Sequence, residues 1–135
     1  MERKWFTPEE ANALLPQLGR EIEVLQGIKH DFEEKYAHLR KWKAAGAVTL
    51  NGEDPFFQLE CEMEFLQIEA RTLIQSIHMK GALLKDIERG LIDFPALLHG
   101  EEVLLCWRHG EAEVSHYHGM DEGYSGRKPL DEQIS

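Results

Sequence analysis

Residues 90–119 read GLIDFPALLHGEEVLLCWRHGEAEVSHYHG, and where the chain turns within this run decides the architecture of the C-terminal third. Leu91 to Phe94 is a short apolar run stopped by Pro95, which suits an edge strand or an extended segment leaving a helix. Glu101 to Trp107 and Ala112 to His118 alternate around Arg-His-Gly-Glu. Gly110 supplies a positive φ there, and His109 tolerates one better than a branched residue would. The pattern predicts a β-hairpin turning on His109 and Gly110. Its cross-strand partners are Trp107 with Ala112, Leu105 with Val114, Val103 with His116, and Glu101 with His118, all on one face. That face is apolar near the turn and polar at its far end, where His116 and His118 stand about 6.6 Å apart along the strand. Glu111, Cys106 and Glu113 have the opposite parity and fall on the other face.

Upstream, the sequence reads as two long helices. Thr7-Pro8-Glu9-Glu10 combines a hydroxyl cap, a proline where a missing N–H costs nothing, and a carboxylate at the capping-box position. Ala11, Leu18, Leu25, Phe32 and Leu39 then recur every seven residues, flanked by Leu14, Leu15, Ile22, Ile28 and Tyr36, to give one broad apolar stripe. Pro16 interrupts the backbone ladder inside that stripe and predicts a kink near residues 12–15. The run AAGAVTLNG suits a helix end and a connection, and Asp54-Pro55 repeats the cap-plus-proline start. Phe56, Met63, Ala70, Ile77 and Leu84 are again seven apart, with Leu59, Leu66 and Leu73 in the second seam position. Gly90 reads as a left-handed terminator.

The expected fold is α+β and mainly α: a long antiparallel helical hairpin, its first helix kinked near Pro16, followed by a small C-terminal β-hairpin and an irregular tail. A single domain covers 1–135, with helix one over 7–45, helix two over 54–89, a short strand and hairpin over 91–118, and a tail over 119–135. Each helix is about 50 Å long at 1.5 Å per residue. Two helices cannot enclose a core alone, and Phe57, Phe65, Ile68 and Ile74 need cover, so a homodimer through the helical hairpin is expected.

Composition narrows the function classes. With 135 residues and 42% hydrophobic content, the chain suits one domain. No apolar run approaches the roughly 20 residues that span a bilayer, and the opening MERKWFTPEE has no apolar signal core, so a cytoplasmic location is expected. Cys61 and Cys106 stand far apart and support neither a disulfide framework nor a four-thiolate zinc site. The formal charge of −10 comes entirely from the residues after 45, because residues 1–45 balance eight basic against eight acidic side chains. Such an acidic remainder repels phosphate, and Arg40, Lys41 and Lys43 are explained by the macrodipole of a helix end, so no nucleic-acid partner is expected. GYSGRKP lacks the spacing and the following helix of a phosphate loop.

The segments WFTPEEANALLPQL, KDIERGLIDFPALLHGEEVLLCWRHGE and YHGMDEGYSGRKPL together resemble the bacterial domain of unknown function 2203. The resemblance spans almost the whole chain, and the ordered pair Gly-Leu-x-Asp-Phe-Pro and Leu-Cys-Trp-Arg-x-Gly-Glu carries most of its specificity. It places the family pattern on Asp93, Phe94 and Pro95, on Cys106, Trp107, Arg108, Gly110 and Glu111, and on His118, Gly123, Gly126 and Arg127. Tyr117 stands where members usually carry Trp, and His116 lies outside the pattern. The resemblance implies no particular activity, cofactor or partner.

Candidate chemistry gathers at the polar strand end. His116-x-His118, with Glu101 across the sheet and Asp93 or Asp121 in reach, offers nitrogen and oxygen ligands for a divalent ion such as Zn²⁺. Asp93, Glu111 and Arg127 make either a charge-assisted cluster that holds the tail or a site for a small anionic ligand, and Trp107 is either core or a stacking platform. Cys106 has no histidine on its face in the expected register, which removes it as an activated nucleophile. The first expectation is a non-catalytic, self-associating interaction or ligand-binding module with a small site formed by Asp93, Trp107, Glu111, His118 and Arg127. The alternative is a divalent-metal-dependent enzyme using His118, His116 and nearby carboxylates.

Overall fold

The computed structural model of the chain describes residues 4–46, 54 and 56–130. Helix α1 runs over Pro8–Ala44 and continues through Pro16. Its start forms as the side chains dictate: Thr7 Oγ1 accepts the Glu10 N–H at 3.1 Å, and Glu10 Oε1 accepts the Thr7 N–H at 3.0 Å. Asp54 Oδ1 accepts the Phe56 amide at 2.9 Å just ahead of helix α2, Phe57–Met79. Pro55 and the connection expected over 47–53 lie outside the described residues. The helices are antiparallel, because their ion pairs run in opposite order: Lys43 with Glu60, Lys35 with Glu62, and Lys80 with Glu21.

Helix two is shorter than expected, ending at Met79 rather than 89. The amides of Lys80 and Gly81 bond back to the carbonyls of Ile77 and His78, and the chain turns into strand β1, Leu83–Asp86. Leu84 kept the seven-residue count only because it packs against the same core from a strand. Strands β2 (Leu91–Leu98), β3 (Glu101–Arg108), β4 (His116–Gly119) and β5 (Lys128–Pro129) complete an antiparallel sheet in sequence order. The expected small hairpin with an irregular tail is therefore corrected to a five-stranded sheet beside the helix pair.

Two His-Gly pairs competed for the turn. The tight hairpin is at His99-Gly100, where both residues have positive φ (51° and 81°) and Leu98 pairs with Glu101. At His109-Gly110 the chain instead leaves the sheet. Trp107 Nε1–H donates to the Glu111 carbonyl at 2.9 Å, and the Val114 amide donates to Asn12 Oδ1 on α1 at 2.7 Å. Pairing resumes with Cys106 opposite His116, Leu104 opposite His118, and Val103 opposite Gly119. Val103 thus meets Gly119 rather than His116, an odd shift of three positions, and every side chain of β4 moves to the face opposite the expected one.

Strand β2 also runs through Pro95 instead of stopping there. Beyond the end of β1, the Pro95 carbonyl accepts the Phe6 amide at 2.7 Å, so the N-terminal segment covers the exposed edge. One face of the sheet presents Ile92, Phe94, Val103, Leu105 and Trp107 to Leu15, Leu18, Ile22 and Leu25 of α1 and Ile77 of α2. The opposite face carries Leu91, Asp93, Leu104, Cys106 and His118, all buried, where the β1–β2 turn and residues 120–127 fold over it. Burial on both faces explains why β2 lacks a polar alternation, with Asp93 its one charged residue. No helix among the described residues is long and apolar enough to cross a membrane.

Candidate metal centre

Asp93, Cys106 and His118 come from three adjacent strands and share the face turned away from the helices. Strands β2 and β4 are about 10 Å apart at the usual interstrand spacing. The small Cys106 side chain between them lets the imidazole and the carboxylate meet above it. His118 Nε2 lies 3.0 Å from Asp93 Oδ2, with both side chains only 3% exposed. His118 Nδ1 is 2.9 Å from the Gly119 carbonyl, which can only accept, so Nδ1 carries a proton. The Nε2–Oδ2 contact then needs one further proton, held between imidazole and carboxyl.

Burial pushes the Asp93 carboxyl above the ordinary range, against the opposing pull of His118 and Lys85. Burial, reinforced by the Asp93 charge, pushes the Cys106 thiol up to about 11, while Arg127 works in the other direction. Cys106 is therefore a protonated thiol at neutral pH unless a cation binds it. Donor atoms of the three residues all lie within 4.8 Å of one another, so the group could hold a metal ion.

Arg127 closes one side of this centre. Its guanidinium makes a two-point ion pair with Glu111, approaches Cys106 Sγ at 4.0 Å, and stacks 4.6 Å from the Tyr124 ring. Glu111 also accepts the Arg108 amide at 2.7 Å. Burial raises its carboxyl, but the Arg127 hydrogen bonds and charge and the Arg108 amide outweigh that and leave it below the ordinary value. Arg108 does not pair with Glu111 through its side chain; its guanidinium lies 5.8 Å from the Tyr124 ring, on which Arg89 also packs at 5.8 Å.

The residues of the centre and its Arg127 clamp fall inside a match over residues 4–130 to the family described as "Uncharacterized conserved protein (DUF2203)". The chain belongs to that family. Comparison with curated proteins and with solved structures found no match.

In this DUF2203 chain the expected site residues separate. Asp93 and His118 meet, and Glu111 and Arg127 meet beside them. Trp107, 2% exposed, belongs to the helix-facing core and donates its indole N–H to the Glu111 carbonyl. His116 binds the Ser115 hydroxyl through Nδ1 at 3.0 Å, Glu101 is exposed at the start of β3, and Asp121 is exposed, so none of the three joins Asp93 and His118. Cys106, which the expected register removed as an activated nucleophile, is the third residue beside Asp93 and His118: the observed register sets it opposite His116 and on the same face as His118. The signal was the Asp93, Cys106, His118 triplet on odd and even positions of successive strands, readable only with the hairpin turn placed at His99-Gly100.

A pocket of about 250 Å³ opens over the centre. Lys85, Asp86 and Arg89 of the β1–β2 turn form one rim, and Met120, Glu122 and Tyr124 form the other. Arg89 Nε binds Asp86 Oδ2 at 3.1 Å, and Glu122 Oε1 accepts the Gly119 amide at 2.9 Å.

Proposed function

We propose that this chain is a metal-binding module in which Asp93, Cys106 and His118 hold one zinc-class divalent ion and present its open side to a small anionic ligand. The observation that carries this reading is the convergence of oxygen, sulfur and nitrogen donors within 4.8 Å beneath a pocket. Mixed donors of this kind suit Zn²⁺, whereas Mg²⁺ and Ca²⁺ favour oxygen throughout. With Asp93 and Cys106 ionised and His118 neutral, the ligands bring two negative charges, and a divalent ion makes the buried group neutral, which removes the main cost of burying it. His118 is already oriented for the role, because the Nδ1–H bond to the Gly119 carbonyl leaves Nε2 for the ion.

Three protein ligands leave one tetrahedral position for a further group. At about 250 Å³ the pocket is smaller than the roughly 300–1,000 Å³ typical of drug-sized ligands, which favours a small molecule. Arg89 is held by Asp86, so Lys85, without an ion-pair partner among the described residues, is the rim cation that favours negative charge. A binding role is favoured over catalysis because both rim carboxylates are engaged: Asp86 holds Arg89, and Glu122 holds the Gly119 amide and lies 3.8 Å from Lys128. A thiolate ligand needs a reducing compartment, which supports the cytoplasm as the location.

Metal analysis of tag-free protein after exposure to zinc and dialysis tests the reading. One ion per chain is expected, lost in Cys106→Ala and His118→Ala and retained in His116→Ala. Metal retained at full stoichiometry in Cys106→Ala, or absent from every preparation, would overturn it.

A further inference from the structure

Helix α2 carries two apolar stripes. Met63 and Ile77 are buried, and Ala70 and Leu73 pack against the core. Away from that side, Phe57, Phe65, Ile68 and Met79 are 66%, 74%, 53% and 79% exposed. The steps from Cys61 to Phe65, Ile68, Thr72, Gln75 and Met79 alternate four and three residues, the seam spacing of a coiled coil. Single exposed apolar residues need no explanation, but Phe65, Ile68 and Met79 on one row, with Phe57 beside its start, mark a contact surface.

We infer that this stripe docks a second copy of the chain, the two α2 helices lying antiparallel about a two-fold axis between positions 66 and 67. Self-complementarity argues for that occupant. In this register Phe65 lies opposite the partner's Ile68 and, by symmetry, Ile68 lies opposite the partner's Phe65. Phe57 reaches the turn between the partner's Thr72 and the partner's Met79. Beside the seam, Glu64 faces the partner's Arg71, twice by symmetry, and neither residue has an ion-pair partner within its own protomer among the described residues. A parallel pairing instead sets Glu64 against the partner's Glu69. The antiparallel register brings Glu62 toward the partner's Glu69, but Lys35 already holds Glu62 at 3.4 Å and offsets that repulsion. The four exposed side chains offer on the order of 500 Å² per copy, judged from the size of such residues. Two copies therefore bury roughly the 1,000 Å² that a specific interface needs. The surface is independent of the metal centre, which lies on the face of the sheet turned away from the helices.

Light scattering on the full chain at tens of micromolar should give twice the chain mass of 15.6 kDa, and Phe65→Glu should give the single-chain mass with unchanged helical circular dichroism. Mild oxidation of the Thr72→Cys variant should join Cys61 of one copy to position 72 of the other. The wild-type chain should form no Cys61–Cys61 disulfide, because antiparallel packing sets those residues about 16 Å apart along the helix at 1.5 Å per residue. A wild-type monomer at this concentration overturns the inference. So does a dimer that survives Phe65→Glu, or one that forms the Cys61–Cys61 disulfide readily.

Discussion

His118 Nε2 and Asp93 Oδ2 meet at 3.0 Å although β3 runs between their strands, and water reaches almost none of either side chain. Removing one partner leaves the other buried without compensation. His118→Ala is expected to lower stability at pH 7 by about 3 kcal/mol, the usual scale for breaking a buried pair. The sign with pH follows from Asp93, whose folded-state carboxyl is already raised by burial and loses the downward pull of His118 in this variant. A carboxyl with a folded pKa above its unfolded value of about 3.9 favours folding least where it is ionised. The variant should therefore lose stability as pH rises from about 4, and chemical denaturation at pH 4 and pH 7 measures the difference.

Zinc uptake should release protons. Cys106, with its thiol pushed up to about 11, must give up one, and the proton held between Asp93 and His118 must leave as well, so about two protons per ion are expected at pH 7. Calorimetry in buffers of different ionisation enthalpy reads that number, and affinity should rise with pH. Release of no protons would exclude Cys106 as a ligand.

The Glu111–Arg127 pair should matter in the opposite pH direction. Glu111 has a folded pKa below the ordinary value, so its contribution is present above the unfolded carboxylate pKa and is lost as pH falls through the folded one. Glu111→Gln is expected to cost about 2 kcal/mol at pH 7, the scale of hydrogen bonds to charged groups. The gap from wild type should close below pH 4. A gap that stays constant into acid would show that packing, not charge, explains the loss.

Gly90, expected to end a helix, closes the turn between β1 and β2 at φ 66°, and a Cβ there would lie 2.6 Å from His109 Cβ. Gly90→Ala combines left-handed strain with that clash and should cost at least about 2 kcal/mol. Its carbonyl accepts the His109 amide at 2.9 Å, so the substitution also loosens the end of β3. Urea denaturation checks it, and a neutral outcome would contradict the turn.

The helical half was legible because capping chemistry and a stripe at 3.6 residues act locally: Thr7 and Glu10 close their box, and Leu18, Ile22 and Leu25 are buried together. The end of α2 was not, since Leu84 satisfies a seven-residue count from a strand as well as from a helix. The sheet turned on one ambiguity. His99-Gly100 and His109-Gly110 offer similar turn chemistry, and the choice between them depends on distant contacts, the Asn12 bond to Val114 and the packing of Trp107, that no local pattern contains. Choosing the wrong pair inverted the parity of β4. That inversion kept Asp93 and His118 as candidates but replaced Cys106 with His116, Glu101 and Asp121. The second stripe on α2 was visible as Phe57, Phe65 and Ile68 needing cover, while which of its residues stay exposed follows only from knowing the face that α1 already occupies.

Titration with cobalt(II) tests the central claim most directly, because cobalt reports both a thiolate ligand and tetrahedral geometry in its absorption. The wild-type chain should saturate at one equivalent with an intense thiolate-to-metal charge-transfer band, and zinc should displace the cobalt. Cys106→Ser should lose that band. Absence of the band from the wild-type chain at saturating cobalt, or a band that persists unchanged in Cys106→Ser, would contradict a centre built from Asp93, Cys106 and His118.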